Sequence, residues 1–488
     1  MRIIRSASWL LWRIVLGIGA FAIALVAFRA WDSERGPPLQ PWHLVVPEEL
    51  RAEALDAADW PDYLAAEEAT FAAVRARVTE ALEPEARIPA NRYFRESPLF
   101  PGRFPRDWNR SFALEPEGAD PLGAVVLLHG LTDAPYSMRH IAEHYRRRGW
   151  VALGLRLPAH GTVPAALTDV TWEDWLAAAR LALREARRRV GPGRPIHLVG
   201  YSNGGALAMK GALDALEDPR LTRVDRLVLI SPMIGVTAFA RFAGLAALPA
   251  SLPRFARSAW LDIVPEFNPF KYNSFPVNGA RQSYRLTTAL QQQMQRLAAE
   301  GRLALLPPVL TFQSVVDFTV STRSVAEALY GSLTGMGHEL VLFDVNRSAA
   351  IGPLVTPAAA GALDRLLPPS PRPWRSVVIG EAGPGDGVVV ERVTEAGGRE
   401  ERVTPIGLRW PREVYSLSHV ALPFPAGDAL YGFDPDPAED FGVRLGTIAL
   451  RGERGVLAVS PAVLARLTFN PFFPYLLARI GEGIVPAR

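Results

Sequence analysis

A serine, two aspartates and a few histidines carry the types and spacing in this sequence that could do chemistry. Ser202 lies in Ile196-His197-Leu198-Val199-Gly200-Tyr201-Ser202-Asn203-Gly204-Gly205. The stretch opens as a short apolar strand, turns through Gly-x-Ser-x-Gly and runs into a small-residue helix from Ala206. That is the pattern of a nucleophile elbow, a strained strand-to-helix turn that holds a serine hydroxyl clear of a sheet edge. Gly200 and Gly204 have a steric reason, because a Cβ at either would meet the closely packed backbone of such a turn. The same five residues also occur as a plain turn, and it is the flanking strand and helix that favour the elbow. A serine nucleophile needs a base, and the base needs an orienting acid. The candidate acids are Asp317, after the apolar run Val309-Leu310-Thr311-Phe312, and Asp344, on the next apolar strand. The candidate bases are His338 and His419, the two histidines that follow Asp317.

The elements that must position these residues alternate. Residues 124–128, 151–157, 196–201 and 227–230 read as buried strands, with helical stretches at 136–148 and 171–190 and after Ser202. Strand–helix alternation of this kind implies parallel strands joined by crossover helices. From Pro232 to about Glu300 the alternation stops. Phe239, Phe242, Leu245, Leu248, Leu252, Phe255, Trp260, Phe267 and Phe270, broken by prolines, read as a helical insertion over the sheet edge. Strands return at 309–312 and 340–343. Residues 347–414 read as a second, irregular insertion with hairpin-like pieces near 377–379 and 388–393. Residues 461–480 read as a terminal apolar helix.

Four motifs carry a resemblance: His129-Gly130-Leu131-Thr132, Pro158-Ala159-His160-Gly161-Thr162, Gly200-Tyr201-Ser202-Asn203-Gly204-Gly205 and Val316-Asp317-Phe318-Thr319-Val320. Together they resemble the α/β-hydrolase superfamily, and within it the serine aminopeptidase and monoacylglycerol lipase branch with its bacterial carboxylesterases. The resemblance covers roughly residues 91–345 and resumes near His419. It implies an α/β-hydrolase fold, with a mostly parallel sheet flanked by helices and a helical cap after the strand that follows the nucleophile. In such folds the acid and then the histidine follow the serine in sequence. The acid ends the strand two after the nucleophile strand, which favours Asp317. His338 precedes its strand and so belongs at the far end of a parallel sheet, which favours His419. The oxyanion donors implied are the backbone N–H groups of Asn203 and of Leu131, with His129 supporting the Leu131 loop. Two features depart from the family pattern: the interval from residue 317 to residue 419, and everything before residue 91.

Composition bounds the rest. The chain has 488 residues, 49% hydrophobic and 21% charged, with a formal charge of +3 and no cysteine. That excludes disulfides and thiolate metal sites. The basic residues are almost all arginine, without a dense basic stripe, so no nucleic-acid surface is expected. No phosphate-binding glycine loop is present, and no cofactor is expected. The segment from Trp9 to Phe28 is apolar except for Arg13, and is read as an uncleaved membrane anchor with Trp9, Trp12 and Trp31 at the interfaces. A cleaved signal peptide is the rival, since Ala20-Phe21-Ala22 and Ala22-Ile23-Ala24 satisfy the small-x-small rule. Arg2, Arg5 and Arg13 on the N-terminal side place the bulk of the chain on the non-cytoplasmic face.

The expected organisation is an anchor (1–35), a linker and helical arm (36–90), and a hydrolase core (91–231) interrupted by a cap (232–300). The core then resumes (301–346), gives way to an irregular insertion (347–414), and ends in a part (415–488) that brings the histidine. The expected activity is hydrolysis of small or lipid-like carboxylic esters through an acyl-enzyme. Three other readings stand beside it. One is a serine peptidase on the same residues. Another is a zinc metallopeptidase using His140, Glu143 and His144 of an H-x-x-E-H stretch. The last is a non-catalytic binding protein on the same fold.

Overall fold

The computed structural model describes residues 2–118, 120–235, 248–350, 354–383, 387–439, 441–446 and 466–484. The chain builds a ten-stranded sheet. Its strands are β1 (Phe112–Leu114), β2 (Gly123–Leu128), β3 (Trp150–Leu155), β4 (Ile196–Tyr201), β5 (Arg226–Ile230), β8 (Val309–Ser314), β9 (Glu339–Phe343), β10 (Arg375–Glu381), β11 (Val388–Thr394) and β12 (Glu401–Arg409). A short antiparallel pair, β6 (Trp260–Asp262) and β7 (Phe275–Pro276), lies apart from it in the cap region. The order across the large sheet is β1-β3-β2-β4-β5-β8-β9-β10-β11-β12. Every pairing from β3 through β10 is parallel. β1 at one edge and β11 and β12 at the other run antiparallel.

The central strands are apolar on both faces because helices cover both faces. Alternation sends Ala124, Val126 and Leu128 of β2 into one layer and Val125 and Leu127 into the other. The first layer is completed by the helices Trp172–Val190, Asn203–Glu217 and Val277–Ala299, the second by Arg139–Arg146 and Phe473–Glu482. The helix Trp172–Val190 starts where its sequence signals say. Thr171 caps it in a reciprocal box with Asp174, and Gly191, at φ 75°, ends it.

The region between residue 347 and residue 414 differs from the irregular insertion expected. β10 joins β9 in parallel, and β11 and β12 continue the sheet outward. The parallel step hides itself in the sequence. Among the described residues its crossover holds only the short helices Pro357–Ala360 and Ala362–Leu366, so no strand–helix period announces it. The edge strand β12 is mostly exposed and contains Pro405.

Residues 41–90 pack on the core as well as preceding it. Trp42, Leu55, Trp60 and Tyr63 belong to the same apolar layer as β2 and β4. The buried Arg156 fixes this arm through Glu49 (2.8 Å) and Glu67 (3.0 Å). Of the cap, Phe239, Phe242 and Leu245 fall outside the described residues, as do residues 461–465 of the expected terminal helix. Among the described residues one helix is long and apolar enough to cross a membrane, with its span at Trp12–Ser33. Most of its side chains are exposed, Ile18 by 64% and Ile23 by 72%. Its C-terminal end meets the cap, where Arg29 donates to the Ser258 carbonyl and Arg257 to that of Ser33.

Candidate active site

Ser202 stands directly after β4 at φ 54° and ψ −115°. A side chain rarely adopts that backbone, and it costs on the order of 1–3 kcal/mol. The surroundings impose it. The Ser202 N–H donates to the Ile230 carbonyl, and the Ser202 carbonyl accepts from Met233. A Cβ at Gly200 would lie 2.2 Å from the Gly204 carbonyl oxygen, and one at Gly204 would lie 2.2 Å from that of Leu128. Both obstacles are backbone, so the two glycines are what let the turn close.

Asp317 follows β8 at the same, carboxyl end of the sheet. Its side chain is buried and its four hydrogen bonds are specific. Oδ2 accepts from His419 Nδ1 at 2.8 Å and from Gln313 Nε2 at 3.1 Å, while Oδ1 accepts from the N–H groups of Thr319 (2.7 Å) and Val320 (3.0 Å). Burial alone would raise the carboxyl pKa. The hydrogen bond from His419 and its charge, with the two backbone donors, hold it below the usual range instead. His419 itself is 3% exposed at the start of a short helical turn, His419–Ala421. Its ring lies 5.3 Å from that of Tyr201, the residue before the serine. Ser314 Oγ, at the end of β8, donates to the Leu417 carbonyl at 2.9 Å and ties the histidine loop to the acid's strand.

The structure separates the other candidates from this group. His338 precedes β9 at the amino end of the sheet. There its Nδ1 accepts from the Val309 N–H at 3.3 Å and its Nε2 faces the Thr334 carbonyl at 3.3 Å. Asp344 is paired with Arg347 at 2.8 Å. His129 bridges two loops, with Nε2 accepting from the Leu157 N–H (3.0 Å) and Nδ1 bonded to the Gly130 carbonyl (2.8 Å). It thereby holds the Leu131 loop in place. Neither the Leu131 nor the Asn203 N–H donates a backbone hydrogen bond among the described residues.

The H-x-x-E-H stretch has other employment. His140 Nε2 bonds Asp428 at 2.8 Å, Glu143 pairs with Arg146 and Arg147, and His144 meets Arg148 at 3.0 Å. Among the described residues no group of three potential metal ligands converges. Asp428 is the hub here. Fully buried, it also binds Arg139 (3.1 Å) and the Tyr136 hydroxyl (2.8 Å), and so fastens the loop beyond His419 to the helix after the Leu131 loop.

A cavity of about 380 Å³ opens beside Tyr201 and Val420, the neighbours of Ser202 and His419. Among its lining residues are Asp133, Lys271 and Arg466, none of which the motifs single out. Asp133 directly follows the His129-Gly130-Leu131-Thr132 motif and Lys271 is one of only two lysines, and those were the available signals.

Residues 119–344 match the family model described as serine aminopeptidase, S33. These residues form an α/β-hydrolase core that is similar to the serine aminopeptidase family and to a monoacylglycerol lipase. The hydrolase is 27% identical over 231 residues to the thermostable monoacylglycerol lipase of Bacillus sp. (strain H-257), covering 46% of this chain and 84% of that one. Among solved structures it is similar to the monoacylglycerol lipase of Paleococcus ferrophilus, at 15% identity and TM-score 0.36, over 48% of this chain and 87% of that one. It is also similar to the monoglyceride lipase of Saccharomyces cerevisiae, at 11% identity and TM-score 0.37, over 48% and 81%.

Proposed function

We propose that this hydrolase cleaves carboxylic esters through a Ser202–His419–Asp317 triad and is held to a membrane by its N-terminal helix. The observation that carries the reading is the 2.8 Å hydrogen bond from His419 Nδ1 to Asp317, at the sheet end where the strained Ser202 turn lies. With Nδ1 committed to the carboxylate, Nε2 is the nitrogen left to take the serine proton. Ser202 Oγ attacks the acyl carbon as His419 accepts its proton. The Leu131 and Asn203 N–H groups stabilise the oxyanion. The imidazolium returns the proton to the departing alcohol. Water, deprotonated by His419, then cleaves the acyl-enzyme and regenerates Ser202. Asp317 stays ionised throughout and stabilises the imidazolium, a role suited to its lowered pKa.

A fluorophosphonate should label Ser202 in the full-length protein and fail to label the Ser202→Ala variant. p-Nitrophenyl esters of graded acyl length, run beside an aminoacyl amide, separate esterase from peptidase. Faster turnover of the amide would replace the ester reading with a peptidase on the same residues. The exposed apolar side chains of Trp12–Ser33 support the anchor. The full-length chain should stay with membranes through carbonate extraction. A soluble product beginning near Leu25 would instead mark a cleaved signal peptide.

A further inference from the structure

The cavity beside Tyr201 and Val420 is mostly aromatic and aliphatic, yet three side chains of charged type line it: Asp133, Lys271 and Arg466. Two cations against one anion leave the lining with a formal charge of +1.

Lys271 is the telling residue. This chain contains 53 lysines and arginines, and only Lys210 and Lys271 are lysine. Lys210 lies on the helix after the serine and is paired with Asp214. Lys271 makes no side-chain hydrogen bond and no ion pair within 4.0 Å among the described residues. Its backbone is fixed on both sides. The Phe270 ring stacks on Tyr136 at 4.3 Å, the Tyr272 N–H donates to the Thr132 carbonyl at 2.7 Å, and Arg92 donates to the Lys271 carbonyl at 3.3 Å. The side chain is therefore directed into the cavity by a rigid segment. Burial lowers its pKa, Asp133 works against that, and Arg466 adds to it. Arg466 enters from another part of the chain, and its guanidinium donates to Thr319 Oγ1 at 2.7 Å, two residues from Asp317. A part-buried ammonium that makes no hydrogen bond or close ion pair among the described residues is costly, and an incoming anion relieves that cost.

We infer that Lys271 and Arg466 form an anion-binding subsite, and that the preferred substrates are esters bearing a carboxylate or phosphate a few atoms from the scissile carbonyl. The inference rests on the ester-hydrolase reading and narrows its substrate class. Ser202 supplies the attack, while the subsite orients the substrate through its charged end.

Matched probes test it on the full-length protein. Mono-p-nitrophenyl succinate against p-nitrophenyl butyrate places the anion on the acyl side. Monobutyrylglycerol 3-phosphate against monobutyrylglycerol places it on the alcohol side and presents a phosphate. At least one anionic probe should exceed its neutral twin about tenfold in kcat/KM, with the advantage shrinking as salt rises. Lys271→Met and Arg466→Gln should each lower that anionic-to-neutral ratio about tenfold, while Lys210→Met leaves it unchanged. A preference for both neutral twins, or a ratio that neither substitution moves, overturns the subsite. Arg466 is exposed, so its variant keeps the test open if Lys271→Met misfolds. Calorimetric binding of the same probes to Ser202→Ala reads the charge preference without turnover. Absence of hydrolysis with a retained anion preference would then reject the esterase reading and spare the subsite, and equal binding of twins would reject the subsite.

Discussion

Both ends of the parallel sheet bury histidines that bond backbone, His129 at the carboxyl end among them, but one at the carboxyl end meets a carboxylate beside the serine turn. At the carboxyl end His419 bonds a carboxylate, Asp317, beside the Ser202 turn. At the amino end His338 bonds only the backbone of Val309 and Thr334, and His197 bonds the Tyr145 hydroxyl at 2.9 Å. Backbone strain divides the same way. Among the described residues the non-glycine positions with positive φ are Thr132, Ala159, Ser202 and Ser231, which follow the carboxyl ends of β2, β3, β4 and β5. Strain of this kind persists where the surrounding structure over-determines it and tends to gather at functional sites. The amino end holds satisfied histidines and none of these strained positions. The comparison teaches that a histidine's role here is set by which sheet end it reaches and whether a carboxylate meets it there, since both ends bury the ring.

The largest effects should come from removing carboxyl-end groups. Ser202→Ala and His419→Ala should each lower kcat for an ester about a millionfold while thermal unfolding stays near wild type. Asp317→Asn should cost on the order of ten thousandfold, less than either, because the ring then keeps its place but loses the partner that fixes its tautomer. Retention of more than about one percent activity in His419→Ala would collapse the contrast between the two ends.

An acid titration sharpens the comparison from the other side. Burial, aided by the Arg226 charge, lowers the His197 pKa from 6.5 to about 3. The unfolded chain therefore binds a proton in that range that the folded one excludes. Stability should be full above about pH 6.5 and fall as the pH drops toward 3, by up to about 1.4 kcal/mol per pH unit from this group. His197→Gln should flatten that slope in urea unfolding measured between pH 6 and pH 4. An unchanged slope would show that the burial of this ring does not govern acid stability.

The parallel core and the elbow were legible in the sequence, because apolar strand runs, helix caps and Gly-x-Ser-x-Gly are local patterns with local causes. The sheet extension was not. The helices described in its crossover are short, and β12 is largely exposed, so neither helical nor buried-strand periodicity marks it. That extension changes how the chain reaches residue 419. Instead of leaving the sheet edge and coming back, β10, β11 and β12 widen the sheet, and the Asn346 N–H bonding to the Tyr415 carbonyl brings the following loop back over β9. Glu49, Glu67 and Asp428 were illegible for a different reason. Each is an ordinary surface-type residue by sequence and becomes an anchor, buried for Glu67 and Asp428 and part-buried for Glu49, only when a distant arginine or histidine arrives.

The smallest expected effect is also the cleanest test of the two-ended picture. His338 lies 3% exposed beside the first residues of β8 and β9, where it accepts a backbone hydrogen bond from Val309. Replacing it by alanine orphans that N–H and leaves a cavity, which should destabilise the fold by about 1–3 kcal/mol in urea unfolding. The parallel strands place it at the sheet end opposite Ser202, so the loss should not reach the chemistry. The ester kcat/KM of His338→Ala, measured well below its melting temperature, should stay within about threefold of wild type. Burial lowers the His338 pKa, so the substitution should also leave the alkaline side of the pH–rate profile unmoved. A drop of a hundredfold or more in a folded His338→Ala protein would mean that the amino end contributes to catalysis, and the division of labour drawn from the two histidines would have to be abandoned.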